Sequence, residues 1–200
     1  MKYRIIRADE TTEDINYSIS KIFVEGFYQW LRFFSKDREK LCRAFTHMFC
    51  RDVFYVTMDG NVVAGIAGLN DGTRPTVILQ KKELQKHLGW LMGTICYHAL
   101  KNEFMDKKYP FLFNEREASV EFVATAPAYR GKGIASAIIG YFLVQPQYDS
   151  FVLEVADTNE NAVRLYEKLG FKEFLRVEEK NKKQSGVNFL IYMRCAKEGA

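Results

Sequence analysis

The sequence predicts a single α/β domain, and three observations carry that expectation. Between Glu121 and Ile139 the apolar pattern changes from strand to helix across Arg130-Gly131-Lys132-Gly133. Two strand-like apolar runs, 53–58 with β-branched and aromatic residues and 62–69 with Val and Ile, flank Asp59-Gly60-Asn61, a strong hairpin signal. Elsewhere apolar residues return at three- and four-residue intervals, the spacing of a helix that buries one face.

Bulk properties narrow the class. The chain has 200 residues, enough to bury a sizeable core as one domain spanning 1–200. Its 48% hydrophobic and 27% charged content is that of an ordinary globule and excludes disorder. A formal charge of +4 suits an anionic cofactor, but no basic cluster or recognised module argues for nucleic acid. Cys42, Cys50, Cys96 and Cys195 form no C-x-x-C pair and no Cys/His spacing for a metal. They read as reduced, packed thiols of a cytoplasmic protein. The amino terminus is charged and short of apolar length, unlike a signal peptide. The longest apolar stretch, 88–100, contains a histidine and falls short of the ~20 residues of a membrane span. A soluble protein with no membrane partner is expected.

Taken in order, Tyr3 to Arg7 read as a first strand. Thr11 or Thr12 is placed to cap a helix with Asp14 in its first turn. Ile15, Ile19, Ile22, Phe23, Phe27, Trp30 and Leu31 give that helix one broad apolar face. A second helix is expected from near Ser35, carrying Leu41, Ala44, Phe45, Met48 and Phe49. The aromatics Phe27, Tyr28, Trp30, Phe33 and Phe34 read as helix-to-sheet packing. After the hairpin, residues 72–115 are too long for a structureless loop and read as a helical insert. Its stripe would be Leu84, Leu88, Leu91, Met92, Ile95 and Ala99, with Pro110 closing it.

Val120 to Thr125 is the next strand, stopped at Pro127, which has no N–H for a ladder. From Ile134 the apolar residues Ala135, Ile138, Ile139, Phe142 and Leu143 are helical in spacing, and Pro146 ends that helix. Phe151 to Val155 is a strand. Asp157 or Thr158 can cap a following helix whose Ala162, Leu165, Tyr166 and Leu169 share one face, with Gly170 as its stop. A closing hairpin, 171–177 and 187–194, surrounds the charged turn 178–186.

The glycine turn carries the chemistry. It points unpaired backbone N–H groups at one spot, on the positive end of a helix dipole, and such a spot binds phosphate. No P-loop G-x-x-x-x-G-K-[ST] is present. A dinucleotide fingerprint is approached by Gly131, Gly133 and Ser136, with Glu154 near the place of an acidic ribose ligand, but the following elements are not further βαβ units. The third pattern is R-x-x-G-x-A, met by Arg130, Gly133 and Ala135 and preceded by P-x-Y.

This stretch resembles the coenzyme A pyrophosphate loop of the GNAT superfamily of N-acetyltransferases. So does N-x-x-A-x-x-L-Y-x-x-x-G-F, Asn159 to Phe171, which is similar to the second cofactor segment of that superfamily. The hairpin Y-V-T-M-D-G-N-V-V-A-G-I-A-G resembles the one that precedes the cofactor strand. The chain departs from the pattern in its long insert, and in Thr125 where a larger aliphatic residue is common.

The resemblance implies a mixed, mostly antiparallel sheet flanked by helices, with acetyl-CoA as co-substrate and no metal. It implies that Arg130, Gly131, Lys132, Gly133, Ile134, Ala135 and Ser136 hold the pyrophosphate. Val123, Ala124 and Thr125 would hold the pantetheine arm, and Asn159 would hydrogen-bond it. Tyr166 would bind the cofactor too, its hydroxyl beside the coenzyme sulfur, and protonate the leaving thiolate. Glu121, six residues before Pro127, would take the proton of the amine, with Glu117 a weaker substitute. The reaction implied is direct attack of a small-molecule or peptide amine on acetyl-CoA. Exposed edges of the closing hairpin could pair two subunits as a homodimer. The alternatives are an acyl-CoA-binding sensor without turnover and, more distantly, a nicotinamide-dependent oxidoreductase. His47, His87 and His98 have no partnered spacing and read as structural.

Overall fold

The computed structural model describes residues 3–180 and 182–197, and in it seven strands form one sheet. They are β1 (Arg4–Arg7), β2 (Phe54–Asp59), β3 (Val62–Asn70), β4 (Glu117–Thr125), β5 (Ser150–Ala156), β6 (Lys172–Glu178) and β7 (Phe189–Ala196). Side by side they run β1-β2-β3-β4-β5-β7-β6. Every neighbouring pair is antiparallel except β4 and β5, which are parallel. This is the mostly antiparallel sheet expected.

Among the described residues seven α-helices accompany the strands: α1 (Asn16–Leu31), α2 (Arg38–Phe45), α3 (Lys81–Leu88), α4 (Trp90–Leu100), α5 (Ile134–Leu143), α6 (Glu160–Lys168) and the short α7 (Lys182–Ser185). Alternation along the strands splits the core in two. One half joins α1, α2, α3 and α4 to β2 and β3 through Phe23, Leu41, Phe45, Phe54, Ile66, Leu84 and Cys96. The other joins α5 and α6 to β4, β5 and β7 through Val120, Ile138, Phe142, Phe151, Leu153, Tyr166 and Met193.

Local chemistry moved several boundaries. Neither Thr11 nor Thr12 caps α1, which begins at Asn16 after an uncapped Ile15. Thr11 Oγ1 and Asp14 Oδ1 instead accept the amides of Glu13 and Asn16, turns that compete with an earlier helix start. Likewise α2 starts at Arg38 because Asp37, not Ser35, caps it, taking the Lys40 amide at 3.1 Å. Asn159, and neither Asp157 nor Thr158, caps α6; Asp157 Oδ1 is occupied by the Asn188 amide.

The insert is helical only in part. Gly89, at φ +86°, ends α3 and starts α4, and a β-carbon at Gly93 would lie 2.5 Å from the Gln85 backbone, so the two helices pack closely there. That break resets the helical phase. Leu84, Leu88, Cys96 and Leu100 are buried, whereas Leu91 is 64% and Ile95 39% exposed, against the single stripe expected. Pro110 does not close the helix. A π turn, Lys101–Met105, follows α4, and residues 106–116 then run without helix across the sheet.

Candidate active site

The parallel pairing of β4 with β5 runs only from Glu117↔Ser150 to Val120↔Leu153. Beyond it β4 continues to Thr125, held by β3, and β5 continues to Ala156, held by β7. The two strands therefore part, and among the described residues the β4 edge from Glu121 to Thr125 has no ladder partner on the β5 side. An unpaired strand edge offers alternate N–H and C=O groups to an extended ligand. Val123, Ala124 and Thr125 lie on it.

A bulge sits at the point of parting. The β3–β4 register shifts between Ile66 and Gly68, and Phe122 has φ +53°. That conformation is costly for a residue with a β-carbon. The rings of Phe23, Phe27, Phe54 and Phe104 surround Phe122 at centroid distances of 5.8, 5.9, 6.4 and 5.0 Å and hold it there. Gly26 lets α1 approach β4: a β-carbon there would come 2.9 Å from Ala124 Cβ.

β4 ends in the turn the sequence indicated. Pro127–Tyr129 form one 3-10 turn, and Gly131 and Gly133 take φ +74° and +77°. Gly133 is the N-cap of α5, and the first helix amide with a carbonyl above it is that of Ala137, 2.9 Å from Gly133 O. The amides of Ile134, Ala135 and Ser136 consequently have no helical acceptor. Tyr129 donates to Asp59 Oδ2 at 3.1 Å, tying the turn to the β2–β3 hairpin. Lys132 Nζ lies 5.1 Å from the Tyr129 ring centre. Among the described residues neither Arg130 nor Lys132 enters an ion pair, so their charges are not spent inside the protein.

Glu121 lies at the parting, held by neutral donors. Asn70 Nδ2 and the Tyr109 hydroxyl donate to its Oε1 at 3.2 and 2.6 Å, and Thr76 Oγ1 donates to Oε2 at 2.5 Å. Asn70 is itself oriented by the Gly72 amide, 2.8 Å from its Oδ1. Burial, and then the Glu121 charge, raise the Tyr109 hydroxyl far above the usual phenol range, so it stays a donor. Glu154 on β5 stands across the gap, its Oε2 3.1 Å from Lys107 Nζ. Burial first, then the Glu154 charge, likewise raise the Tyr192 hydroxyl.

Glu117 has another fate. Its side chain is fully buried and receives Arg194 at 2.8 and 3.1 Å, Ser150 Oγ at 2.7 Å and the Asn114 amide at 3.1 Å. A carboxylate so saturated has no position left for an amine, so Glu117 is a structural ion-pair partner.

Tyr166 is buried on α6 in the same cluster as Val120 and Leu153, the last paired residues before the strands part. Burial pushes its hydroxyl up to about 12, a range in which it is a proton donor at neutral pH. Asn159 Oδ1 is occupied as the α6 cap, 3.3 Å from the Ala162 amide, which leaves its Nδ2 as the group able to reach a ligand.

Sequence reasoning missed Tyr109, Thr76 and Asn70 as partners of Glu121, and missed Glu154 as a neighbour of the gap. A lone acid in the apolar run F-V-L-E-V-A was a readable signal for Glu154. Nothing local marks Tyr109 or Thr76.

Residues 17–171 match the model of the acetyltransferase (GNAT) family. A search of curated protein sequences finds no significant match. Among solved structures, an N-acetyltransferase from Staphylococcus aureus Mu50 is 18% identical, with 96% of this chain and 99% of that one covered at a TM-score of 0.64. A GNAT family acetyltransferase from Elizabethkingia anophelis with acetyl-CoA bound is 11% identical, with 98% and 99% covered at 0.55. A chimeric spermidine N-acetyltransferase from Vibrio cholerae is 17% identical, with 98% and 96% covered at 0.57. At these identities the likeness is one of fold.

Proposed function

As the chain belongs to the acetyltransferase (GNAT) family, we propose that it moves an acetyl group from acetyl-CoA to a primary amine by direct attack. The observation that carries this reading is the parting of β4 from β5 beyond Val120, on a strand that runs into the glycine turn. The residues present fit the coenzyme. Three helix-start amides and two uncommitted cations suit a diphosphate, and a free strand edge suits a pantetheine arm.

When bound, the coenzyme supplies an activated acyl thioester; the protein's own groups do the rest. The turn from Arg130 to Ser136 anchors the diphosphate. Backbone groups of Val123 to Thr125 hold the arm and offer N–H donors to the thioester oxygen. Holding donor and amine together removes several kcal/mol from the barrier. An alkylammonium with a pKa near ~10.4 must lose a proton before it attacks, and Glu121 is the acceptor at the parting. Tyr166 gives a proton to the departing thiolate.

The test is to mix the protein, acetyl-CoA and a panel of primary amines, diamines and peptides, and follow thiol release. Release dependent on one amine class, with kcat lowered at least ~10-fold by Tyr166→Phe while coenzyme affinity is kept, supports the reading. Coenzyme binding with no amine-dependent release would replace it by an acyl-CoA sensor.

A further inference from the structure

The Glu121 carboxylate is fixed by residues far from it in sequence, and two of the three belong to the segment between β3 and β4. A carboxylate has about four acceptor positions. Asn70 and Tyr109 fill both on Oε1, and Thr76 fills one on Oε2. One position remains, on Oε2. Building on the acetyltransferase reading, we propose that Tyr109 and Thr76 are positioning residues, holding Glu121 so that this remaining position is the one that receives the amine proton.

Three features of the frame distinguish it from incidental polar packing. Tyr109 has a single hydroxyl proton and lies 2.9 Å from Ser119 Oγ as well as 2.6 Å from Glu121. The proton goes to the carboxylate, so Ser119 must be the donor to Tyr109, and a directed relay Ser119→Tyr109→Glu121 results. The Tyr109 ring is gripped by Phe111 and Phe113 at 5.3 and 4.8 Å, with Lys107 Nζ 4.8 Å from its centre. Space is also reserved for Thr76. It is fully buried, and a β-carbon at Gly68, the residue paired with Glu121 across β3, would come 2.8 Å from its Cγ2. The strand gives up a side chain where the hydroxyl of Thr76 has to reach.

The experiment compares wild type, Tyr109→Phe, Thr76→Val, Glu121→Gln and the double variant Tyr109→Phe/Glu121→Gln, using the best amine of the panel. Tyr109→Phe keeps the ring and should lower kcat about 10- to 100-fold, with KM for acetyl-CoA within about twofold of wild type. Thr76→Val should fall in the same direction. The double variant should be no slower than Glu121→Gln by more than about twofold, since Tyr109 acts through that carboxylate. A spectroscopic readout needs no turnover. The hydroxyl proton of a 2.6 Å bond to a carboxylate should give a downfield proton resonance that is lost in Tyr109→Phe and moves upfield in Glu121→Gln. Tyr109→Phe within twofold of wild type, or losses that multiply in the double variant, would overturn the positioning role alone. A wild-type protein that neither binds acetyl-CoA nor releases thiol with any amine would instead overturn the acetyltransferase reading, and this role with it.

Discussion

Replacing Gly133 by alanine isolates the backbone conformation on which coenzyme binding is argued to depend. Gly133 sits at φ +77° and ψ 12° as the N-cap of α5, and among the described residues no heavy atom beyond its two chain neighbours lies within 4 Å of where a β-carbon would be. The substitution is therefore free of clashes, and its penalty is the left-handed backbone, about 1–2 kcal/mol for an L-residue with a side chain. If the turn keeps its shape without ligand, the whole penalty appears as lost stability, a fall in Tm of roughly 2–8 °C for a chain of this size. If the empty turn relaxes, the penalty moves to binding and weakens coenzyme A by about 5- to 30-fold. If bound coenzyme holds the turn as proposed, the two losses sum to the same 1–2 kcal/mol. Urea unfolding gives one and titration calorimetry with coenzyme A the other. Gly133→Asn, which tolerates this region, should show a smaller sum. A Gly133→Ala protein with unchanged unfolding and unchanged coenzyme affinity would refute the argument that this bend must be left-handed to work.

Three further outcomes are expected. Glu117→Gln removes the charge facing Arg194, which is itself only 25% exposed, and should lose about 2–4 kcal/mol in urea unfolding while kcat of the folded fraction stays as in wild type; lost turnover at unchanged stability would make Glu117 a base after all. Gly140→Ala, mid-helix in α5 with no described residue outside its own helix turn within 4 Å of the new methyl, should stabilise by ~0.5–1 kcal/mol, and a fall in Tm would contradict the open space there. His47 takes the Gln80 amide on Nε2 at 2.8 Å, and burial lowers its pKa from 6.5. Between the lowered value and 6.5 the unfolded chain binds more protons, so stability should fall as pH drops through that window and level off below it. His47→Gln, which can accept the same amide without titrating, should flatten that slope in pH-dependent melting.

What the sequence revealed was local. The turn at Arg130–Gly133 and the hairpin at Asp59–Asn61 depend on residues next to each other, and glycine states its conformational purpose directly. Caps were harder, because Thr11, Asp14, Asp37 and Asn159 all compete for nearby amides and the winner depends on tertiary approach. The insert was least legible. Its phase is reset at Gly89, and its contribution to the site is made by Thr76 and Tyr109 across 45 and 12 residues of chain. No periodicity encodes which side chain of a long connection will meet a given carboxylate.

The bulge on β4 shows why that connection matters to the site and is not an appendage. Nothing in the sequence marks Phe122 for a positive φ, and an isolated strand would avoid it. The conformation persists because the residue is over-determined from outside, and the intervening segment supplies part of the restraint twice over. Phe104 of the π turn packs edge-on against Phe122 at 5.0 Å, while Tyr109 and Thr76 bond Glu121, the residue just before it. Two consecutive residues of one bulge are thus fastened by one stretch of chain, one through its ring and the other through its charge. The bulge is where β4 leaves β5, so the segment that fastens it also sets where the gap between the strands opens. A weakened insert should therefore damage the site before it damages the sheet, since β4 remains laddered to β3 on its other edge.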